Sequence, residues 1–542
     1  MSSYERVELE HLPPSFFLTN RQNFIKNLKE HIVSIPENSY LFLMGGKERP
    51  RYDNDDELHY FLQESNFYYL TGVLEANYYA TINLTDASFS LYIPQPTERE
   101  KIFLHWETLE QIAEKYQCST FDLVQLPLEI NRLNPNKLYV LNGTNSDSGN
   151  KVLTCDYVFP APYDKFNEVI DHDELIYEIL ADTRTKKSNE EIELLKYINK
   201  VTVEAHIHTM KTIYQNIDKK ALIERDVENY FYSYIRSKLY CRNHPYEHIC
   251  GCGVDGATLH YINNDQKLEK GKLILMDMGG LAGGYVSDVT STVPVSGTFS
   301  AEQKEIYDIV LEANQEVQKN AKPGVSWTDM HLLAEKVILT RLQEKGFLGS
   351  QYTVQEMLDN RVCYYFMPHG LGHLMGIDTH DAGGYLSFTP ERSKEKGLDC
   401  LRTARVLEKN MILSDEPGIY FIPYLLEQGF KDEKVSKYFV QDKIKGYYSF
   451  GGVRIEDDIL ITDDGCVNLT EGLPRTTEDI EKLPQLPMKN TKEFRSVING
   501  IIEKPSSVIL FNWISYSQKS LRQKDVPMGD TKVPDFIEAL PY

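Results

Sequence analysis

The sequence predicts an α/β chain of two domains followed by a tail, and three observations carry that prediction. Strand-like and helical segments alternate through the first 180 residues, a capping box opens a long helix directly after a basic run, and further helices then lie between strand-like runs rich in apolar residues. The boundaries fall at 1–184 for an N-terminal α/β domain, 185–480 for a second α/β unit, and 481–542 for a C-terminal extension of unassigned role.

In the first domain, RQNFIKNLKEHI (21–32) repeats apolar residues at helical spacing, whereas YYATINL and SFSLYIP read as two strands joined by a turn. After TRTKKSNEE, Ser188 and Glu191 stand three apart and form the capping box of EEIELLKYINKVTVEAHIHTM. Ser300 and Gln303 do the same for the next helix, and Pro323 with Gly324 separates it from TDMHLLAEKVILTRLQEKG. KLILMDMGG, GYVSDVTSTVPV, MILSDEPGIYF and GGVRIEDDILIT supply strands around those helices. The tail is rich in Pro and Lys, and its apolar patch SSVILFNWISY is suited to docking on the body or on a partner.

Composition narrows the function. A net charge of −22 over 542 residues argues against nucleic acid, whose binding needs clustered Lys and Arg. No apolar run reaches membrane-spanning length, and MSSYERVELEHLPPSFF lacks the basic-then-apolar order of a secretory signal. Eight cysteines in such a chain read as reduced thiols of a cytoplasmic protein; Cys250 and Cys252 form a C-x-C, but no second pair stands at zinc-site spacing. GCGVDG (251–256) fits a dinucleotide fingerprint in letters only, since ATLHYINND after it reads as strand and turn instead of helix.

The chemistry lies in the second domain. HGLGHLMGIDTH (369–380) holds three of the 14 histidines, and Gly370, Gly372 and Gly376 make it a bent strand or loop built for close approach. In KLILMDMGGLAGGYVSDVTSTV the glycine-dense centre predicts a hairpin; a turn centred between Ala282 and Gly283 sets Asp277 opposite Asp288. Like charges so placed are destabilising unless a cation joins them. Glu416 ends another β-rich run and Glu456 sits among apolar strand residues, where a lone acid is rare unless paired or metal-bound. Two Asp, two Glu and a histidine of the 369–380 stretch, with no thiolate nearby, favour a pair of divalent ions: manganese first, cobalt or zinc as alternatives.

These phrases, FMPHGLGHLMGIDTHDAGGY, LRTARVL, EPGIYFI and GGVRIEDD, resemble those of the eukaryotic prolidases, Xaa-Pro dipeptidases of the pita-bread metallopeptidase family that also includes aminopeptidase P; the likeness runs from about residue 15 to 480. The resemblance implies an N-terminal creatinase/aminopeptidase-P-type domain, a C-terminal pita-bread catalytic domain and a homodimer. It implies metal ligands Asp277, Asp288, His373, Glu416 and Glu456, and a hydroxide bridging two ions that cleaves the imide bond of Xaa-Pro dipeptides. Glu416 then carries the proton, His380 and His260 contact the substrate, Arg402 clamps the proline carboxylate, His369 shapes the pocket and Tyr246 stands near the metals.

GCGVDG departs from the family's usual GSGEN, and Asp415 stands where an uncharged residue is usual; on a strand it should point away from the metals. The alternatives are an aminopeptidase P acting on longer peptides, a metal-free peptide-binding relative, and a creatinase-like hydrolase. SKEKGLDCLRTAR favours the dipeptidase, and the complete ligand set opposes the last two.

Overall fold

The computed structural model describes residues 11–486 apart from 33 and 54–60. The first ten residues and the tail from 487, with its apolar patch, lie outside the described residues.

The N-terminal half is organised by β1 (Ser39–Met44), SYLFLM, in which every residue is buried. Leu41 and Leu43 enter one core while Tyr40, Phe42 and Met44 enter another, so the unbroken apolar run reflects a strand covered on both faces. With β2 (Tyr79–Asn83), β3 (Phe89–Ile93), β4 (Ser119–Asp122), β5 (Lys137–Tyr139) and β6 (Ile170–Asp171) it forms a six-stranded mixed sheet ordered β4-β3-β2-β1-β5-β6. The two predicted strands are β2 and β3, paired antiparallel. Helix α1 (Pro14–His31) begins seven residues before the predicted 21–32, because Pro14 occupies the first turn, where its missing N–H costs nothing. It packs on α2 (Glu174–Thr185).

Both predicted capping boxes form. Ser188 and Glu191 cap α3 (Asn189–Asn216), which packs on α4 (Glu224–Leu239); Ser300 and Gln303 cap α5 (Ala301–Asn320), which packs on α6 (Trp327–Glu344). Against the first pair lies the sheet β11-β8-β7, built from β7 (Ile249–Cys252), β8 (Leu273–Asp277) and β11 (Thr290–Pro294), with β9 (Leu281–Ala282) and β10 (Tyr285–Val286) closing its hairpin. Beside the second pair lie β12 (Ile412–Asp415), β15 (Asp457–Ile461) and β16 (Cys466–Asn468), and a two-stranded unit of β13 (Gly418–Tyr420) and β14 (Gly452–Arg454). After Cys252 the chain makes a 3-10 turn, Gly253–Ala257, and no helix or strand follows over ATLHYINND, so GCGVDG is not a nucleotide loop.

The hairpin register corrects one expectation. Tyr285 pairs with Ala282 and Thr290 with Asp277, which centres the turn between Gly283 and Gly284, one residue beyond the predicted place. Both glycines take positive φ, +53° and +74°, as a two-residue type I′ turn demands. Asp277 therefore faces Thr290, and Asp288 falls diagonally from it, opposite Gly279, where an added Cβ would meet the Ser287 carbonyl oxygen at 2.0 Å. The two carboxylates still share one mouth of the hairpin.

Two seams bring distant segments to that mouth. The Glu456 N–H donates to the Thr290 carbonyl at 3.2 Å, and the Thr292 hydroxyl donates to the Arg454 carbonyl at 2.8 Å, joining β11 to the 452–456 segment. The 369–380 stretch is not helical; residues 371–375 run beside β12, with Leu374 bridged antiparallel to Leu413, and 376–380 bend away. Gly372 permits this approach, since its Cβ would lie 2.0 Å from the Ser414 carbonyl oxygen.

Candidate metal centre and active site

A cavity of about 1050 Å³ is lined by all ten residues singled out from the sequence: Tyr246, His260, Asp277, Asp288, His369, His373, His380, Arg402, Glu416 and Glu456. Ligand atoms of Asp288, His373 and Glu456 lie within 4.8 Å of one another, a combination that among the described residues could hold a metal ion. The His373 Nε2 is 3.4 Å from Asp288 Oδ2 and 3.5 Å from Glu416 Oε1.

The supports of this cluster are local and specific. The Nδ1–H of His373 donates to the Leu374 carbonyl at 3.1 Å, which leaves Nε2 turned to the carboxylates, the arrangement a metal-ligating imidazole needs. The Ser414 hydroxyl accepts from the His373 N–H at 3.0 Å and donates to Glu416 Oε1 at 3.2 Å. Thr290 donates to Glu456 Oε2 at 2.7 Å. Asp415, one residue before Glu416, instead accepts from Asn314 on α5 and does not line the cavity.

The electrostatics fit bound cations. Burial, and after it the charges of Asp288, Glu416 and Asp277, push the Glu456 carboxyl well above its ordinary range. Burial and the Asp288 charge lift Asp277 to about 6, and burial lifts Glu416 to about 7 against the pull of His373 and Arg454. His373 is held up at about 9: burial opposes its charge, but Asp288 and Glu416 overcome it. One oxygen each of Asp277 and Asp288 is sealed from solvent without a well-formed hydrogen bond, and the sealed Tyr246 hydroxyl lies beside them. Buried acceptors left open at the focus of four carboxylates are what a hard or borderline divalent ion would fill. These residues fit metal ions.

Sequence reasoning missed two groups. Arg454, buried, donates to Asp277 Oδ2 at 2.7 Å, to the Tyr420 hydroxyl at 2.9 Å and to Thr290 Oγ1 at 3.1 Å, supplying a fixed internal cation. Its position between apolar strand residues in GGVRIEDD was the available signal. Asp147, in a loop of the N-terminal half, binds Arg402 Nη1 at 2.6 Å and lies 3.2 Å from His380 Nδ1. Nothing in the polar string NSDSGN distinguishes it from a surface turn.

The other predicted histidines divide. His369 contacts the Gly370 carbonyl and the Tyr420 hydroxyl, and burial lowers it to about 3. His260 is exposed in the cavity wall, and the His380 ring lies 4.4 Å from that of His373. The loop after Asp277 is braced by two further imidazoles, His206 donating from Nε2 to the Met278 carbonyl at 3.0 Å and His248 to that of Gly279 at 3.2 Å. Burial depresses them to about 4 and about 3. Both stay neutral in the fold, while the unfolded chain binds protons below the ordinary value near 6.5, so stability is lost as pH falls from about 6.5 toward 4. His206→Gln, which keeps an N–H donor without a titrating ring, is expected to flatten this decline in urea midpoint; an unchanged pH slope would refute the assignment.

Residues 193–463 match the model of metallopeptidase family M24, and residues 17–140 match the aminopeptidase P N-terminal domain. A Xaa-Pro dipeptidase of Rattus norvegicus is 37% identical over 479 residues, covering 87% of this chain and 93% of that protein. A probable Xaa-Pro aminopeptidase of Uncinocarpus reesii is 35% identical over 82% of this chain and 90% of its own. Among solved structures, zinc-substituted E. coli aminopeptidase P in complex with product superposes with a TM-score of 0.68 at 25% identity, covering 89% of this chain and 100% of that one. With both domain models matched in order and a relative 37% identical over 87% of it, the chain belongs to metallopeptidase family M24, in the branch that carries the aminopeptidase P type of N-terminal domain.

Proposed function

We propose that the chain is a dinuclear-metal hydrolase that cleaves the imide bond of Xaa-Pro dipeptides and releases proline. The observation that carries this reading is the single cavity that joins the acidic cluster around His373 to the guanidinium of Arg402. Its similarity to Xaa-Pro dipeptidases over 87% of the chain supports the same substrate class.

Asp277, Asp288, His373, Glu416 and Glu456 would hold two divalent cations, manganese first, with cobalt or zinc as alternatives. Such ions lower the pKa of a water molecule and polarise the scissile carbonyl. Glu416, fixed by Ser414, takes a proton on its carboxylate and delivers it to the proline nitrogen as the bond breaks. His380, its Nδ1–H held by the Asp147 carboxylate, contacts the substrate beside the scissile carbonyl. His260 contacts the substrate from the cavity wall, while His369 and Tyr246 shape the cavity. Arg402 receives the free carboxylate of the substrate, a task that suits a planar guanidinium.

Metal-stripped protein refilled with manganese should hydrolyse Gly-Pro and leave Gly-Pro-Pro intact; cleavage of the longer peptide instead would assign an aminopeptidase P. Arg402→Ala is expected to raise KM for a dipeptide by about tenfold or more while changing it little for a longer peptide, the loss of a charge-assisted contact being worth about 1.5–3 kcal/mol. An equal rise for both peptides would contradict the clamp.

The chain acts as a homodimer in the cytoplasm. Eight unpaired thiols support the compartment, and no helix among the described residues is long and apolar enough to cross a membrane. The exposed apolar side chains of Ile102, Phe103, Leu104 and Trp106 support the dimer, as surface of this kind marks an interface. Sedimentation at twice the chain mass is expected, and the mass of one chain would contradict it.

A further inference from the structure

The cavity wall nearest Arg402 comes from the N-terminal half of the chain. Asp147 precedes Arg402 by 255 positions, and each of its carboxylate oxygens holds one group of the catalytic half: Oδ1 accepts from Arg402 Nη1 at 2.6 Å, and Oδ2 lies 3.2 Å from His380 Nδ1. Asp147 is half-buried, and these two contacts hold its carboxyl well below the usual range although burial opposes the charge.

The loop that carries Asp147 is stiff. The Asn145 side-chain oxygen accepts from the N–H groups of Asp147 and Ser148 at 2.8 and 3.3 Å, the Gly149 N–H donates to the Asn145 carbonyl at 2.9 Å, and Gly149 takes φ +71°. It is also pinned from outside. Arg392 donates to the Ser146 carbonyl at 3.0 Å and to the Leu401 carbonyl at 2.7 Å, so one guanidinium fixes both the loop and the residue before Arg402. The Tyr385 N–H donates to Ser146 Oγ at 3.2 Å.

We propose that Asp147 is a specificity-determining residue: it holds Arg402 and His380 in place from across the molecule, and its loop walls the cavity beside Arg402 so that the site favours a substrate whose free carboxylate follows directly on the proline. This rests on the reading of Arg402 as the carboxylate clamp. A guanidinium already immobilised through Nη1 loses little rotamer freedom when a carboxylate binds its remaining donors, and a rigid wall beside it leaves a longer chain without a path.

The test compares manganese-loaded wild type, Asp147→Ala and Asp147→Asn, with melting temperatures measured alongside. Asp147→Ala is expected to raise KM for Gly-Pro and Ki for L-proline about tenfold and to leave Ki for L-prolinamide, which has no carboxylate, within about twofold. It should also shift the kcat/KM ratio of Gly-Pro over Gly-Pro-Gly about tenfold toward the tripeptide. Asp147→Asn, whose amide oxygen still accepts from Arg402, should recover part of the loss in proline affinity. An unchanged or lowered Ki for proline, or an equal rise for proline and prolinamide, overturns the inference. If Asp147→Ala melts early, Asp147→Asn decides by the same comparison of the two inhibitors. Wild type that fails to cleave Gly-Pro overturns the dipeptidase reading itself, whereas normal wild-type cleavage with no carboxylate-dependent effect in the variants overturns only the role of Asp147.

Discussion

Glu456→Gln is expected to lower kcat/KM for Gly-Pro at least about a thousandfold, to weaken manganese binding at least about a hundredfold, and at the same time to raise the melting temperature of the metal-free protein. The opposite signs follow from the surroundings of Glu456. Its carboxylate is buried among Asp288, Glu416 and Asp277, each of which makes its charge unfavourable while no ion is bound. Glutamine has nearly the same shape, and its amide oxygen can still accept from Thr290, which donates to Glu456 Oε2 at 2.7 Å. The substitution therefore relieves repulsion and removes a ligand in one step. A structural carboxylate at this place would behave differently: the variant would melt earlier and bind manganese unchanged. Differential scanning calorimetry and metal titration of the two proteins distinguish these outcomes.

The second large effect couples metal binding to pH. Asp277 titrates at about 6 and Glu416 at about 7 in the metal-free fold, against ordinary carboxyl values near 4 in the unfolded chain. A raised carboxyl value means that the folded state holds more protons than the unfolded state between those limits. Stability of the metal-free protein is thus highest below about pH 4 as far as these two groups are concerned, falls as pH rises through 4 to 7, and stays low above. The two displacements have the same sign, so their effects on stability add as pH rises. Bound cations would replace the missing protons. The gain in melting temperature on adding manganese should accordingly be larger at pH 8 than at pH 5. An equal gain at both would show that the carboxylates do not face the ions.

Much of the site was legible because burial makes certain residues conspicuous. Glu456 among strand apolars, and Asp277 at the end of LILMD, could be read as functional since an unpaired acid is costly there. The glycines of HGLGH pointed to close packing, and Gly372 against Ser414 provides it. The hairpin register was misplaced by one residue because GGLAGG contains two glycine pairs. The pair 283–284 makes the turn, while Gly279 is needed for its small size beside Ser287. The Asp147 contacts were not legible at all. They span a sequence separation of 255 residues and depend on how the two halves pack, and no local periodicity or turn signal encodes that. Arg454 lies between these cases: its charge in a buried strand was visible, but its partner Asp277 was set by the seam between two sheets.

Side chains from four separate segments line one cavity and would together grip catalytic cations. Titration of metal-stripped protein with manganese, followed at once by elemental analysis and by Gly-Pro hydrolysis, tests it most directly. No hydrolysis is expected before addition, and full rate at about two bound equivalents per chain. Full hydrolysis by protein that retains less than about a twentieth of an equivalent of any transition metal would contradict it.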